Sequence, residues 1–205
     1  MISERHKPQQ ARSRATVERI LRVSAELLEE VGLEGFNTNL VASRASVGMH
    51  AIYRYFPNKQ AILLALLEQR REAERSWIGD LGNLEAAGDW RAAARAVIES
   101  YYEAAAAQPG YAALRTAARA SPEMQSADRA IDAEFELQLA RGLRRLGVAL
   151  EPGRLAIVCR TVVESASRLL DVSLTFPPEQ GRVVIEELTI MILQYLERYV
   201  PADTP

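Results

Sequence analysis

Apolar side chains recur along this chain at the three- and four-residue spacing of amphipathic helices. Between residues 12 and 31 they form one helical face, and Gly32 follows as a C-cap, which predicts a first helix. The face comprises Ile20, Val23, Leu27, Leu28 and Val31. Similar stretches, separated by short loops, continue to the C-terminus. The pattern predicts an all-α protein of about nine helices.

Capping residues and prolines predict where the later helices begin and end. Asn37 is expected to cap a short second helix, and Asp89 is expected to cap a helix over 90–107. The stretch 81–89 (LGNLEAAGD) is predicted to be a loop. The other predicted helices cover 58–77, 111–120, 122–147, 152–175 and 179–200.

Two short predicted helices flank a turn at Ser46-Val47-Gly48, and this arrangement is typical of a helix-turn-helix. Val47, Ile52 and Phe56 are expected to form the inner face of the second helix. The remaining side chains of that helix would then be open to the major groove of DNA, which is ~12 Å wide. The segment therefore predicts DNA binding.

Charge and composition agree with this interpretation. Residues 1–60 hold nine basic and six acidic side chains, whereas the chain as a whole carries a net charge of −2. A basic N-terminal part suits contact with phosphate. There is a single cysteine, Cys159, which we expect to be a small buried apolar group. With no apolar run of membrane-spanning length and no signal-like N-terminus, we expect a cytoplasmic protein that does not contact a membrane.

A specific resemblance now follows from the stretch 20–64. It has Gly32 at the end of the first helix, Val41-Ala42 in the second, Ala45-Ser46-Val47 at the turn, and the run 52–59 (IYRYFPNK). These features resemble the DNA-binding domain of the TetR family of transcriptional regulators. The resemblance implies a helix-turn-helix domain at 1–58 and a helical ligand-binding and dimerisation domain at 59–205. Residues 1–11 are polar and charged, and this composition predicts a mobile tail.

The resemblance also implies which residues meet DNA. Thr38 and Lys59 correspond to phosphate contacts at helix starts, and Tyr53 and Tyr55 to contacts with backbone or bases. The full predicted set is Thr38, Gly48, Met49, His50, Ala51, Tyr53, Arg54, Tyr55 and Lys59. The chain departs from the family at three places, with Ser46 and His50 where glycine is usual and Gly48 where serine or threonine is usual. These departures bear on which operator sequence is read.

For the C-terminal part, the resemblance implies an effector pocket and a homodimer formed through the eighth and ninth helices. Tyr102, Tyr111 and Phe135 are the predicted pocket residues, and the predicted effector is a small apolar or amphipathic molecule. The whole chain is thus predicted to be a repressor that binds double-stranded operator DNA and is released by a small molecule.

Two other interpretations remain open from the sequence. One is a helix-turn-helix regulator gated by a protein partner, or by no ligand at all. The other is a helical-bundle enzyme, which residues 61–205 disfavour because they contain no histidine. We therefore predict no catalytic residue, no metal site and no cofactor.

Overall fold

The computed structural model describes the backbone of residues 6–204 and the side chains of 12–74, 78–122 and 124–204. In this part of the chain, nine α-helices and one short 3₁₀ helix follow one another and no strand is present, so the predicted all-α class is confirmed. The α-helices are α1 (His6–Gly35), α2 (Thr38–Arg44), α3 (Met49–Tyr55), α4 (Lys59–Leu81), α5 (Trp90–Ala107), α6 (Tyr111–Ala120), α7 (Pro122–Arg145), α8 (Pro152–Ser173) and α9 (Pro178–Glu197). None of the described helices is long and apolar enough to cross a membrane.

The helices form two compact units. The first takes in the described residues up to Gln69 together with Pro109–Met124, and the second takes in Arg70–Gln108 and the described residues from Gln125 onward. Helix α6 thus belongs with the N-terminal helices, whereas the sequence-based division after residue 58 places it in the C-terminal domain. That division stays a prediction.

Helix α1 begins earlier than the sequence predicts. Residues 6–11 are helical, although they were expected to form a mobile tail, and residues 1–5 lie outside the described residues. Proline at position 8 is compatible with this start because the N–H groups of a first helical turn have no partner within the helix. At the other end, Gly32 leaves the helical region with φ 65° and ψ −177°. The predicted break at Gly32 is therefore confirmed.

The stretch 81–89 is only partly the loop that the sequence predicts. Leu84–Ala87 form a 3₁₀ helix that ends at Gly88, whose φ is 74°. Leu84 is 1% exposed, so this one apolar side chain fixes the stretch to the second unit. The sequence did not reveal this helix, because a single turn with one buried side chain has no periodicity to detect.

In the first unit, α6 packs against α1 at very short range. Gly110 precedes α6 with φ 71°, and a Cβ added there would lie 2.3 Å from the backbone oxygen of Ala25. The Gly110 N–H donates to a carboxylate oxygen of Glu29 at 3.2 Å. A glycine is needed here for both its positive φ and its lack of a side chain.

In the second unit, α8 and α9 make the most extensive helix pairing, and α5 also packs on α9. Helix α9 buries Ile185, Leu188, Ile192 and Leu196, which recur every three or four residues along one face. Helix α8 buries Cys159 completely, as expected. That burial is the main cause that raises the pKa of the Cys159 thiol to about 11, and the charge of Glu136 adds to it.

Candidate functional site

The α2–turn–α3 segment is built from local hydrogen bonds. The Asn37 side chain accepts from the Leu40 N–H at 3.0 Å and caps α2, as predicted. The chain then reverses at Ser46, which has φ 51°, a conformation that glycine adopts at lower cost. Gly48 lies at the N-cap of α3 with extended backbone, and no side chain caps that helix.

Helix α3 has one buried face and one open face. Ile52 is 0% exposed and Phe56, which follows the helix, is 6% exposed. On the opposite side, Tyr53 is 54% exposed, and His50 and Arg54 are also exposed. The open face therefore holds an aromatic ring, an imidazole and a guanidinium, which are groups that hydrogen-bond or stack on nucleic acid.

Tyr55 is oriented differently from its neighbours on α3. Its side chain is half-buried, and its hydroxyl lies 3.0 Å from the Ser13 hydroxyl on α1. The Arg54 guanidinium lies 5.6 Å from the centre of the Tyr55 ring. Tyr55 thus helps to fix α3 to α1 and holds Arg54 beside it. Its own contact with DNA stays a prediction.

A second contact holds α2 to α1. Arg44 donates from both terminal nitrogens to the two carboxylate oxygens of Glu30, at 2.9 and 2.8 Å. This two-point pairing lowers the pKa of Glu30 and raises the pKa of Arg44, mainly through the hydrogen bonds between them. Arg44, which is not among the predicted DNA contacts, thus pairs with a residue of α1.

The other predicted contacts lie at helix starts. Thr38 is the first residue of α2, half-exposed, and Lys59 is the first residue of α4 and exposed. Before Lys59, the Asn58 side chain accepts from the Ala61 N–H at 2.9 Å. Met49 and Ala51 are half-exposed in the first turn of α3, and Gly48 is exposed just before it. All nine predicted residues belong to the first compact unit, and their contact with DNA stays a prediction.

The second unit holds a largely apolar cavity between its helices. It encloses about 810 Å³, counting the open space at its mouth. Fourteen of its 17 lining residues are apolar, and the other three are Tyr101, Asp132 and Ser167. An apolar lining with few polar groups is typical of a site for a small organic molecule.

Of the three predicted pocket residues, Phe135 lines this cavity. Tyr102 is buried, but its hydroxyl is directed to the Pro178 carbonyl at 3.4 Å, and it borders a smaller cleft with Arg182. Tyr111 is buried in the first compact unit. Contact of any of the three with a ligand stays a prediction.

The tyrosine that does line the cavity, Tyr101, was not among the predicted residues. Its ring meets Phe135 edge to face, with centroids 5.6 Å apart. A helical pattern would have found it, because Ala94, Val97 and Ile98 line the cavity at the spacing that also places Tyr101 there.

Behind Tyr101 lies a buried cluster of charged side chains that sequence reasoning also missed. The Tyr101 hydroxyl donates to Glu74 at 2.7 Å. Arg70 Nε lies 2.9 Å from Glu74 Oε1, and Arg70 Nη2 lies 2.9 Å from Asp128 Oδ1. The Arg70 side chain is 1% exposed. Charges are buried only when such partners offset their loss of water, so the cluster fixes the position of the Tyr101 ring.

Helix α3 is the second helix of a helix-turn-helix, with one buried face and one open face. The second unit holds a largely apolar cavity. These two features define the class of helix-turn-helix regulators. Comparison with known proteins agrees. The family model described as "Bacterial regulatory proteins, tetR family" matches residues 20–66, and the one described as "Tetracyclin repressor-like, C-terminal domain" matches residues 89–196. The chain belongs to the TetR family of DNA-binding transcriptional regulators, and the resemblance carried by residues 20–64 is confirmed.

Individual relatives are more distant. The chain is 32% identical over 112 residues to the tetracycline repressor protein class C of Escherichia coli, which is 54% of this chain and 49% of that protein. It is 32% identical over 83 residues to the transcriptional repressor DrrR1 of Streptomyces coeruleorubidus, or 40% of this chain and 28% of that protein. The match to the tetracycline repressor thus spans about half of that repressor's length.

Solved structures extend the likeness along most of the chain. A TetR-family regulator from Streptomyces coelicolor is 26% identical, with a TM-score of 0.66 over 90% of this chain and 99% of that one. SmeT, the repressor of a multidrug efflux pump in Stenotrophomonas maltophilia, is 21% identical, with a TM-score of 0.71 over 94% of each chain. The likeness to SmeT shows a shared fold.

Proposed function

We propose that the protein is a homodimeric repressor that binds a palindromic operator through α3 and is released by a small effector in the cavity. The observation that carries DNA binding is the open face of α3, with Tyr53 more than half exposed above a fully buried Ile52. An apolar inner face and a polar outer face are what a helix in the major groove requires. Since operator DNA lies in the cytoplasm, we propose that location for the protein.

The effector is proposed to act from the cavity of the second unit. A ligand shifts an equilibrium only through different affinities for two states, so the effector must favour a state with altered spacing of the recognition helices. The cavity has a largely apolar lining with few polar groups, and this supports a small-molecule effector over gating by a protein partner. Both family models that match the chain describe regulatory proteins, so we propose a regulator and not an enzyme.

The dimer is proposed to form between copies of α8 and α9. Several large apolar side chains are exposed there in the single chain: Ile157 is 57% exposed, Val183 54%, Ile190 43% and Met191 44%. Val183, Ile190 and Met191 fall at positions i, i+7 and i+8, on one face of α9. A second copy of this chain would cover them about a two-fold axis, and the recognition helices would then lie in major grooves ~34–36 Å apart.

The DNA-binding half is tested by selecting bound duplexes from a random pool and repeating the preferred site at several salt concentrations. We expect a palindrome and a steep fall of affinity with salt. Lys59→Ala should weaken binding and reduce the salt slope by about one, whereas Tyr53→Ala should weaken binding at every salt concentration. Arg129→Ala, which removes an exposed charge on α7, is the matched control. A pool without any enriched sequence would contradict operator binding.

The dimer is tested by sedimentation of the purified protein. Ile190→Glu places a charge on the proposed interface and should shift the protein toward monomer. Leu137→Glu changes a leucine on α7 that is 52% exposed, against 43% for Ile190, and should leave the dimer intact. If both variants sediment as the parent protein does, the dimer does not use this face of α9.

A further inference from the structure

Two of the three polar side chains that line the cavity, Asp132 and Tyr101, are associated with the aromatic residue Phe135. Asp132 and Phe135 lie three residues apart on α7 and therefore on the same face, and both line the cavity. The ring of Phe135 is in contact with that of Tyr101 on α5. No lysine, arginine or histidine is among the lining residues that the structure describes. Among the lining residues that the structure describes, Asp132 is thus the only Asp, Glu, Lys, Arg or His, and it shares a helical face with Phe135.

At Tyr101 and Asp132, two of the three polar lining residues, the hydrogen-bonding direction is also fixed, whereas the hydroxyl of the third, Ser167, can donate or accept. The Tyr101 hydroxyl donates its proton to Glu74, so its oxygen can offer a ligand only acceptor capacity. An ionised Asp132 is an acceptor only. The Asp132 carboxylate already has interactions within the protein, and a ligand would join them. A molecule that places a donor here is satisfied, whereas a ligand carboxylate would meet acceptors and like charge.

Aromatic faces add to the same preference. A cation within about 6 Å of a ring centre is attracted to the ring's negative face, and the attraction grows where water is excluded. Apolar residues make up the rest of the wall, including Val97, Val163 and Leu188, and they suit the hydrocarbon body of a ligand. Carboxylate, rings and apolar wall together describe a receptor for an organic cation.

We infer that the effector is a lipophilic amine or ammonium compound whose cationic group lies against Asp132, Tyr101 and Phe135. The inference deepens the proposed function, since it names the ligand class of the proposed effector cavity. Asp132 sets the specificity for charge, and the apolar wall supplies affinity that is independent of charge.

The test uses three probes that share a phenyl ring and a butyl chain: phenylbutylamine, phenylbutanol and phenylbutanoate. Their affinities for the full-length protein are measured by calorimetric titration at neutral pH. We expect the amine to bind about tenfold more tightly than the alcohol, since a charge-assisted hydrogen bond is about twice as strong as a neutral one. The carboxylate should bind most weakly.

Two variants test whether the preference for the amine over the alcohol depends on Asp132. Asp132→Asn keeps the shape of the side chain and should bring the amine to within about threefold of the alcohol, while the alcohol's own affinity stays unchanged. Asp80→Asn removes an exposed carboxylate of α4 outside this cavity wall and should leave the tenfold preference intact. Because the comparison of amine with alcohol is made first on the unaltered protein, the test does not depend on the folding of either variant.

The outcomes separate the inference from the proposed function. If the alcohol binds as tightly as the amine, or if Asp132→Asn leaves the preference in place, the inference is overturned while the cavity stands as a ligand site. If none of the probes binds, the inference and the effector half of the proposed function both fail. Operator binding is measured without any effector and is judged on its own.

Discussion

Gly110 allows a sharp test of how α6 is held against α1. Alanine at this position has to adopt φ 71°, and its Cβ would lie 2.3 Å from the Ala25 carbonyl oxygen and 3.1 Å from the Ala25 carbonyl carbon. Both are backbone atoms and cannot rotate away. The start of α6 would have to move back by roughly 1 Å, to the 3 Å or more that Cβ contacts normally keep, and this would weaken the Gly110–Glu29 hydrogen bond.

The loss of stability in Gly110→Ala has two parts, backbone strain and steric clash, and a substitution at a second glycine separates them. Gly88 has φ 74°, nearly the same as Gly110, but a Cβ there would meet no atom within 4 Å. Gly88→Ala therefore measures backbone strain alone, about 1 kcal/mol. Gly110→Ala adds the clash, which costs about 1–3 kcal/mol as overpacking does elsewhere. We expect a total loss of about 2–4 kcal/mol in the free energy of unfolding.

Urea unfolding followed by circular dichroism measures both variants. All samples are kept at one protein concentration, since the proposed dimer would make apparent stability depend on concentration. The slope of free energy against urea should stay at its parent value, so that the midpoint reports stability. If Gly110→Ala and Gly88→Ala differ by less than about 0.5 kcal/mol, α6 does not approach α1 as closely as the structure shows, and the reasoning fails.

Three further predictions concern Ser46, Cys159 and the Glu30–Arg44 pair. Ser46→Gly should relieve the strain of a positive φ and raise the free energy of unfolding by about 0.5–1 kcal/mol, seen as a higher melting temperature. With the pKa of its thiol raised to about 11, Cys159 should be alkylated by iodoacetamide at pH 8 about a hundredfold more slowly than an unperturbed cysteine; equal rates would contradict its burial. Because the pKa of Glu30 is lowered in the fold, its pairing with Arg44 stabilises at neutral pH and is lost as pH falls through that folded pKa. Glu30→Gln should therefore flatten the acid side of the stability profile, and an unchanged profile would show that the pair contributes nothing.

The sequence was most informative where structure depends on neighbouring residues. Asn37 and Asp89 cap helices as predicted, because a capping side chain bonds to N–H groups two or three residues ahead. Gly32 interrupts α1 for an equally local reason, since its positive φ takes the backbone out of the helical region. The helix-turn-helix was recognisable because its inner face, its turn and the start of α4 fall within about 25 residues of one another.

The cavity was less predictable because its wall is assembled from distant segments. Tyr101 and Tyr102 are adjacent in a helix rich in alanine, and composition alone does not show which of them lies on the cavity side. Arg70 and Glu74 have the spacing of an ordinary solvated ion pair, yet both are buried, because Asp128, 58 residues away, completes their surroundings. Such long-range partners leave no signal in one sequence.

The division of the chain has a consequence for the design of hybrid regulators. The first compact unit is discontinuous in sequence: it is left after Gln69, re-entered at Pro109 and left again after Met124. An exchange of sensory regions that cuts only once, after α3 or within α4, would take α6 from one parent and α1 from the other. The close approach of Gly110 to Ala25 leaves no room for a side chain at position 110. A contact between α1 and α6 of different parents would therefore be less tolerant of sequence differences than a contact at the protein surface. A hybrid that keeps residues 109–124 with their own N-terminal helices preserves the matched surfaces, and its sensory part is then grafted at three junctions.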